Sequence, residues 1–153
     1  MKKVVIMGCG RVGAALATEL DREGYQVTIL DYNPDALVEF LPDDFNGTRV
    51  VGNGTDIDVL RRIGIEGMDI FVSATRGDNR NVMAAQIAKH IFGVPIVAAR
   101  VFDPLREEMY RNMGLRTINP TRVQARRLKR MIEAESDEEA DRIVAEFLAE
   151  EEK

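Results

Sequence analysis

A glycine loop near the start of this chain limits what the rest can fold into. Gly8-Cys9-Gly10-Arg11-Val12-Gly13 is a G-x-G-x-x-G motif in register. It follows Lys2–Met7, an apolar run, β-branched at Val4, Val5 and Ile6, that reads as a buried strand. Ala14, Ala15, Leu16, Ala17 and Leu20 then recur at helical spacing until Gly24, and Gln26–Leu30 reads as a second strand with Asp31 at its end. Strand, glycine loop, helix, strand and acid in that order form the dinucleotide-binding fingerprint. Gly8 permits the tight turn, Gly10 lets backbone approach a pyrophosphate, and Gly13 lets the helix pack closely on the sheet. Unpaired N–H groups and the positive end of the helix dipole then face phosphate. Asp31 lies 18 residues beyond Gly13, where a carboxylate accepts hydrogen bonds from a ribose diol. Its charge repels a 2′-phosphate, which favours NAD or an adenine nucleotide over NADP. The plainer alternative, a tight turn with no ligand, fits a lone motif better than it fits this full context.

The alternation of strand and helix continues to Ile118. A short helix is expected from Asn33-Pro34-Asp35 through Leu41, with Pro34 in its first turn, and then a polar loop over Pro42–Gly47. Thr48–Val51 reads as a third strand leading into Gly52-Asn53-Gly54-Thr55-Asp56. Ile57, Leu60 and Ile63 mark one face of the next helix, which stops at Gly64. Asp69–Ala74 is a fourth strand, apolar enough to be buried on both faces. After Thr75-Arg76-Gly77-Asp78 comes a helix with Val82, Met83, Ile87 and Ile91 inward and Gly93 at its end. Pro95–Ala99 is a fifth strand followed by Arg100, Asp103-Pro104 opens a helix through Met113, and Leu115–Ile118 is a short sixth strand.

Helix-length crossovers demand a largely parallel sheet covered on both faces. Right-handed crossovers then give an α/β fold: the doubly wound Rossmann parallel six-stranded sheet, in the order 3-2-1-4-5-6. Ligands of such sheets sit beyond the carboxyl ends of the strands. Five segments converge there: Gly8–Gly13, Asp31–Tyr32–Asn33, Gly52–Asp56, Ala74–Asp78 and Arg100.

With 153 residues the chain has enough length for one real core. Residues 1–119 read as the nucleotide-binding domain and 120–153 as a C-terminal helix pair, a crossover or dimerisation element. Lys and Arg number 21 against 26 Asp and Glu, a net charge of −5, which disfavours nucleic acid and anionic membrane as partners. No apolar run approaches the ~18 residues of a membrane-spanning helix, and nothing resembles a signal peptide, so the chain is expected to be cytoplasmic without direct membrane insertion. One cysteine and one histidine allow neither an intramolecular disulfide nor a protein-made zinc site. Cys9 reads as a small packing residue and His90 as a helix residue without an acid partner.

Pro120 starts the first C-terminal helix, apolar at Val123, Leu128, Met131 and Ile132 and basic at Arg122, Arg126, Arg127, Lys129 and Arg130. Ser136-Asp137-Glu138-Glu139 offers a capping box. The last helix carries Ala140, Ile143, Val144, Phe147 and Leu148 as an apolar stripe and ends on Glu150-Glu151-Glu152. A basic helix beside an acidic one is expected to pair with it, in cis or between chains. A solvated basic face is the alternative.

These loops together resemble one family, the KTN or RCK (TrkA N-terminal) regulatory domains of potassium transporters and channels. The matching residues are Gly8–Gly13 with arginine in the loop, Asp31, Gly52-Asn53-Gly54-Thr55-Asp56 and Val72-Ser73-Ala74-Thr75. They continue with Val94-Pro95, Ala99-Arg100-Val101, Asp103-Pro104 and Gly114. The glycine loop is widely shared, whereas the G-N-G-T-D and A-R-V-x-D-P segments are far more selective. The resemblance implies a sensor that binds NAD(H), or ATP, ADP or AMP, without chemistry on it. It also implies a homodimer or higher ring on the cytoplasmic face of a potassium transporter or channel subunit, with the helix pair crossing to a neighbour.

By the same resemblance, the Gly8, Cys9, Gly10, Val12 and Gly13 backbone and the Arg11 side chain would meet phosphate. Asp31, with Tyr32 and Asn33 beside it, would hold the ribose. Asn53, Gly54, Thr55 and Asp56 would border the adenine, Ala74 and Thr75 the phosphate or nicotinamide side, and Arg100 would close the far side. Three positions depart from the pattern. Many members continue into a further small domain after the helix pair, whereas this sequence ends at Lys153. Thr121 replaces a glutamate that helps some ATP-binding relatives hold a cation, so no metal is expected. Arg76 stands where relatives often have a small residue.

The leading expectation is therefore a TrkA-like regulatory subunit that gates ion flux through nucleotide-dependent rearrangement of an oligomer. It is not expected to be an enzyme. The rival is the cofactor domain of an NAD-dependent dehydrogenase lacking its catalytic domain. Hydride transfer needs a substrate pocket and a positioned acid or base, for which the sequence supplies no candidate.

Overall fold

The computed structural model describes residues 1–151, so Glu152 of the acidic run lies outside the described residues. Six parallel strands form one sheet in the order β3-β2-β1-β4-β5-β6. They are β1 Lys3–Met7, β2 Gln26–Asp31, β3 Thr48–Val51, β4 Ile70–Ser73, β5 Ile96–Arg100 and β6 Arg116–Ile118. Between them run α1 Arg11–Arg22, α2 Ala36–Glu39, α3 Ile57–Arg62, α4 Asp78–Gln86 and α5 Pro104–Asn112. This is the expected doubly wound order.

Alternation along the central strand divides the core in two. In β1, Val4 and Ile6 point to one face with Val27, Ile29, Ala14 and Ala17, while Val5 and Met7 point to the other with Leu60, Phe71 and Ala85. Registration pairs Ile6 with Ile29 on one side and with Val72 on the other. Both faces of the central strand are dry, so a one-residue slip would exchange two fully packed faces. The switch of direction between β1 and β4 leaves a crevice at their carboxyl ends.

Three expectations are corrected. The helix predicted from Asn33 through Leu41 is only Ala36–Glu39, one turn long. Pro34 lies in the turn ahead of it, and Leu41 precedes Pro42, a position that disfavours the helical region. In the helix after β4, Met83 and Ile91 point outward, 55% and 56% exposed. The inward residues there are Asn81, Val82, Ala84, Ala85, Ile87 and Ala88, whose alanines let the helix lie close to the sheet. That helix closes in a wider π-type turn over Ile87–Ile91, which shifts the phase that a regular helix would give Ile91. Finally, β4 is wholly buried at Phe71 and Ser73 but only half-buried at Ile70 and Val72.

Beyond β6 the chain forms α6 Pro120–Ile132 and α7 Asp137–Glu151. They pair in cis. The Arg130 guanidinium lies 2.8 Å from the Glu146 carboxylate, and Arg127 and Arg130 each sit 4.9 Å from the Phe147 ring centroid. Ser136 accepts from the Glu139 N–H at 3.2 Å, while the Glu139 carboxylate reaches back to the Glu135 N–H at 2.8 Å, one residue beyond the reciprocal partner of a capping box. No residue of α6 is buried, and Leu128, Ile132 and Leu148 remain 59%, 82% and 57% exposed.

Candidate functional site

The glycine loop has the contacts its sequence requires. Gly8 has φ +105°, and a Cβ on Gly13 would lie 1.8 Å from the Gly8 carbonyl oxygen, so α1 meets the loop at a distance only glycine allows. At Gly10 the position of a Cβ is open, with nothing within 4 Å. Backbone there can be approached from outside. Arg11 and Val12, the first residues of α1, are exposed; Arg11 makes no ion pair among the described residues. Cys9 turns the other way. Its buried thiol donates to the Ala36 carbonyl at 3.3 Å, and burial, with the Asp31 charge adding and Arg49 opposing, pushes its pKa up to about 11.

Asp31 ends β2 and is tied to this loop. One carboxylate oxygen accepts from the Cys9 N–H at 2.7 Å and the other from the Asn33 N–H at 2.8 Å. A carboxylate has about four acceptor sites, so each oxygen keeps capacity for a further donor such as a ribose hydroxyl. Tyr32 follows, 67% exposed. The loop after β3 is stiffened by Asn53, whose side-chain oxygen accepts from the Thr55 N–H at 3.1 Å and the Thr55 hydroxyl at 2.9 Å. Gly54 packs against Met7. Asp56 is committed elsewhere, capping α3 by accepting from the N–H groups of Asp58 and Val59 at 2.9 and 3.3 Å.

The opposite wall is built by a buried amide. The Asn81 side-chain oxygen accepts from the Thr75 N–H (2.9 Å) and hydroxyl (2.7 Å), and its NH2 group donates to the carbonyls of Thr75 (2.8 Å) and Arg100 (2.9 Å). Asn81 is fully buried, and all its hydrogen-bonding groups are paired. Arg100 clamps the same residue, donating from Nη2 to the Thr75 carbonyl at 2.8 Å, with its guanidinium 4.7 Å from the Phe102 ring centroid. Burial, then the nearby Arg76 charge, lowers the Arg100 pKa against the opposing pull of Asp78.

From this wall a run of hydrogen bonds reaches the C-terminal helices. The Asp78 carboxylate accepts from the N–H groups of Phe102 (2.8 Å) and Asp103 (3.0 Å). The Phe102 carbonyl accepts from the Asn119 NH2 group at 3.3 Å, and the Asn119 oxygen caps α6 by accepting from the Arg122 N–H at 2.8 Å. Arg122 also lies 3.6 Å from Glu107, a buried carboxylate of α5 held by Arg111 at 2.7 Å and Thr117 at 3.0 Å.

A cleft of about 290 Å³ opens between these walls. Of the residues singled out in the sequence, it brings together Gly8, Asp31, Tyr32, Asn53, Gly54 and Thr55 with Thr75 across from them. Gly10, Arg11, Val12, Gly13 and Asn33 border the loop outside the cleft lining. Cys9, Asp56, Ala74 and Arg100 do not line it either: Ala74 is buried beneath Gly8, and the other three make the contacts already described. Met7 and Leu30 supply an apolar floor. The size is at the small end for ligand pockets, which suits one nucleoside with its phosphates left to the open glycine loop. Sequence reasoning missed Asn81 and Arg80. A polar residue on the inward face of α4 was a legible signal for Asn81, whereas no local pattern marks Arg80, which lines the cleft from α4.

The TrkA-N domain model matches residues 4–120, three quarters of the chain and all six strands but for one residue of β1. The chain belongs to the TrkA-N domain family. This TrkA-N domain is 43% identical over 129 residues to the Trk system potassium uptake protein TrkA of Streptomyces coelicolor, a match covering 84% of this chain and 57% of that protein. The chain thus spans less than three fifths of that relative's length. In fold it is similar to the AMP-bound Kef C-terminal domain of Shewanella denitrificans, with TM-score 0.73 and 22% identity over 98% of this chain and 93% of that one. The GsuK channel bound to NAD matches with TM-score 0.73 and 22% identity over 87% of this chain and 23% of that one.

Proposed function

We propose that this TrkA-N domain is a nucleotide-sensing regulatory module acting from the cytoplasmic face on a membrane potassium transporter or channel. The observation that carries the reading is the Asp31 carboxylate, fixed by glycine-loop backbone at a nucleoside-sized cleft beyond the strand ends. NAD(H) is the first ligand, with ATP, ADP or AMP as the alternatives. The N–H groups of Gly8–Gly13 and the Arg11 side chain take the phosphates. Asp31 takes the ribose diol, Tyr32, Asn53, Gly54 and Thr55 border the base, and Thr75 faces it from the α4 wall. Asn33, Asp56, Ala74 and Arg100 hold these segments in shape.

The bound nucleotide is read and not transformed. The ionisable side chains on the cleft are Asp31, Tyr32 and Arg80, and Asp31 is already engaged with two backbone donors. His90 stands near the carboxyl end of the α4 segment, at the opposite edge of the sheet. Potassium transport is carried over from the name of the Streptomyces relative, which is longer than this chain.

Sensing requires that one nucleotide state fit one arrangement of the assembly better. Thr75 is bonded to Asn81, which shares the first turn of α4 with Asp78, and Asp78 is bonded through Phe102 to the Asn119 cap, a physical link between the cleft and α6. Residues 120–153 serve as the assembly element, because the apolar face of α6 and Leu148 of α7 stay uncovered within one chain and a second copy in a homodimer or ring would cover them. The test is a calorimetric titration of NAD⁺, NADH, ADP and ATP, with assembly followed by light scattering. At least one pair of ligands should differ several-fold in affinity and shift the assembly. Four equal affinities with an unchanged assembly would refute the sensor.

A further inference from the structure

Arg80 sits in the first turn of α4, and Tyr32 follows the end of β2 on the opposite wall of the cleft. The guanidinium carbon of Arg80 lies 5.2 Å from the Tyr32 ring centroid, so two side chains from opposite walls meet across the cleft. Arg80 has no carboxylate partner among the described residues. Its neighbour Asp78 is turned to the N–H groups of Phe102 and Asp103. Exposed cation–π contacts are weak, and both side chains reach into solvent, so this one parts readily.

We infer that Tyr32 and Arg80 form a clasp that admits a purine base between them, the ring stacking on one face of the base and the guanidinium on the other. The inference rests on the nucleotide reading above and adds to it the residue that selects the base. A stacked layer needs about 3.5 Å on each side, about 7 Å in all. From the observed 5.2 Å the clasp opens by roughly 2 Å, within reach of rotamer changes in a long exposed arginine. Below it lie the apolar Met7 and Leu30, and beside it the polar Asn53 and Thr55, so the slot is flat, apolar on its floor and polar at one edge. A two-ring base overlaps such a pair more fully than a pyrimidine does.

The full chain contains three tyrosines and no tryptophan, so Tyr32 supplies one of three sources of tyrosine emission, and the Tyr32→Phe variant isolates its share. Titration with ADP should quench part of this emission. Tyr32→Phe should keep ADP affinity within about twofold, because phenylalanine still stacks, and lose most of the quench. Arg80→Ala and Arg80→Lys should both weaken ADP by roughly 5- to 10-fold, since lysine restores charge without a planar face, and both should narrow the preference for ADP over CDP. Both positions are exposed, and thermal melting checks that each variant folds. Wild-type affinity in Arg80→Lys, an unchanged ADP-to-CDP ratio in Arg80→Ala, or a quench that survives in Tyr32→Phe would each overturn the clasp. A wild-type chain that binds no adenine nucleotide would instead refute the proposed function. Binding that is lost in Asp31→Ala and indifferent to Arg80→Ala would refute the clasp alone.

Discussion

Replacing Asp31 by asparagine tests whether the acid proposed to bind ribose also holds the site together. The two carboxylate oxygens accept different backbone donors, Cys9 N–H at 2.7 Å and Asn33 N–H at 2.8 Å. An asparagine has the same shape but only one acceptor oxygen, so its NH2 group must face one of those donors. One charge-assisted hydrogen bond is lost, worth about 1.5–3 kcal/mol, and the remaining one becomes neutral. Because Asp31 is partly exposed, water recovers some of this, and we expect the ligand-free protein to lose about 2 kcal/mol. For a chain of this size that corresponds to a fall in Tm of about 4–8 °C. The assay is thermal unfolding by circular dichroism without nucleotide, then with NAD or ADP. In the wild type, ligand at 100 times Kd should add about 2.7 kcal/mol and raise Tm, and in Asp31→Asn that rise should largely vanish. A ligand-free variant that melts within 1 °C of wild type would refute the claim that this carboxylate organises the glycine loop.

Three further outcomes follow from the same contacts. Gly13→Ala should destabilise by about 1–3 kcal/mol in urea unfolding, although alanine is the better helix former, because its Cβ would fall 1.8 Å from the Gly8 carbonyl; a gain in stability would mean that α1 shifts freely. Asn81→Leu, similar in volume, removes the partner of the Thr75 N–H and of the Arg100 carbonyl and leaves the Thr75 carbonyl to Arg100 alone, and should cost at least about 3 kcal/mol, against near-neutral behaviour if the amide were dispensable. The Cys9 thiol, pushed up to about 11 from 9.0, should resist alkylation in the native protein at pH 8. The folded state then holds a proton that the unfolded chain releases above pH 9, so the thiol's contribution to stability is complete below pH 9 and is lost as pH rises toward 11. Rapid native alkylation, or stability that rises over that interval, would contradict this placement.

The central strands and their order were legible because burial on both faces of a parallel strand leaves a continuous apolar run, and because helix-length crossovers have one hand. The glycine loop was legible for a similar reason: Gly13 is dictated by a backbone contact that no other residue tolerates. Where local signals conflicted, the reading slipped. Met83 and Ile91 have inward-looking chemistry, yet the alanine face of α4 packs against the sheet, and the π-type turn shifts the phase at Ile91.

The amino-acid sequence by itself therefore determined the sheet, the glycine loop, the acid at the end of β2 and the family. These depend on spacing read along the chain, from the glycine loop to Gly114, and on local steric limits. Which side chains share the cleft was decided only by tertiary structure. Arg80 meets Tyr32, and Asn81 reaches Thr75 and Arg100, because the switch point between β1 and β4 brings together walls that are distant along the chain. The family resemblance puts Asp56 and Arg100 at a nucleotide site, and the fold gives them a helix cap and a backbone clamp. Packing, which satisfies each buried donor and acceptor with whatever lies nearest in space, sets those roles.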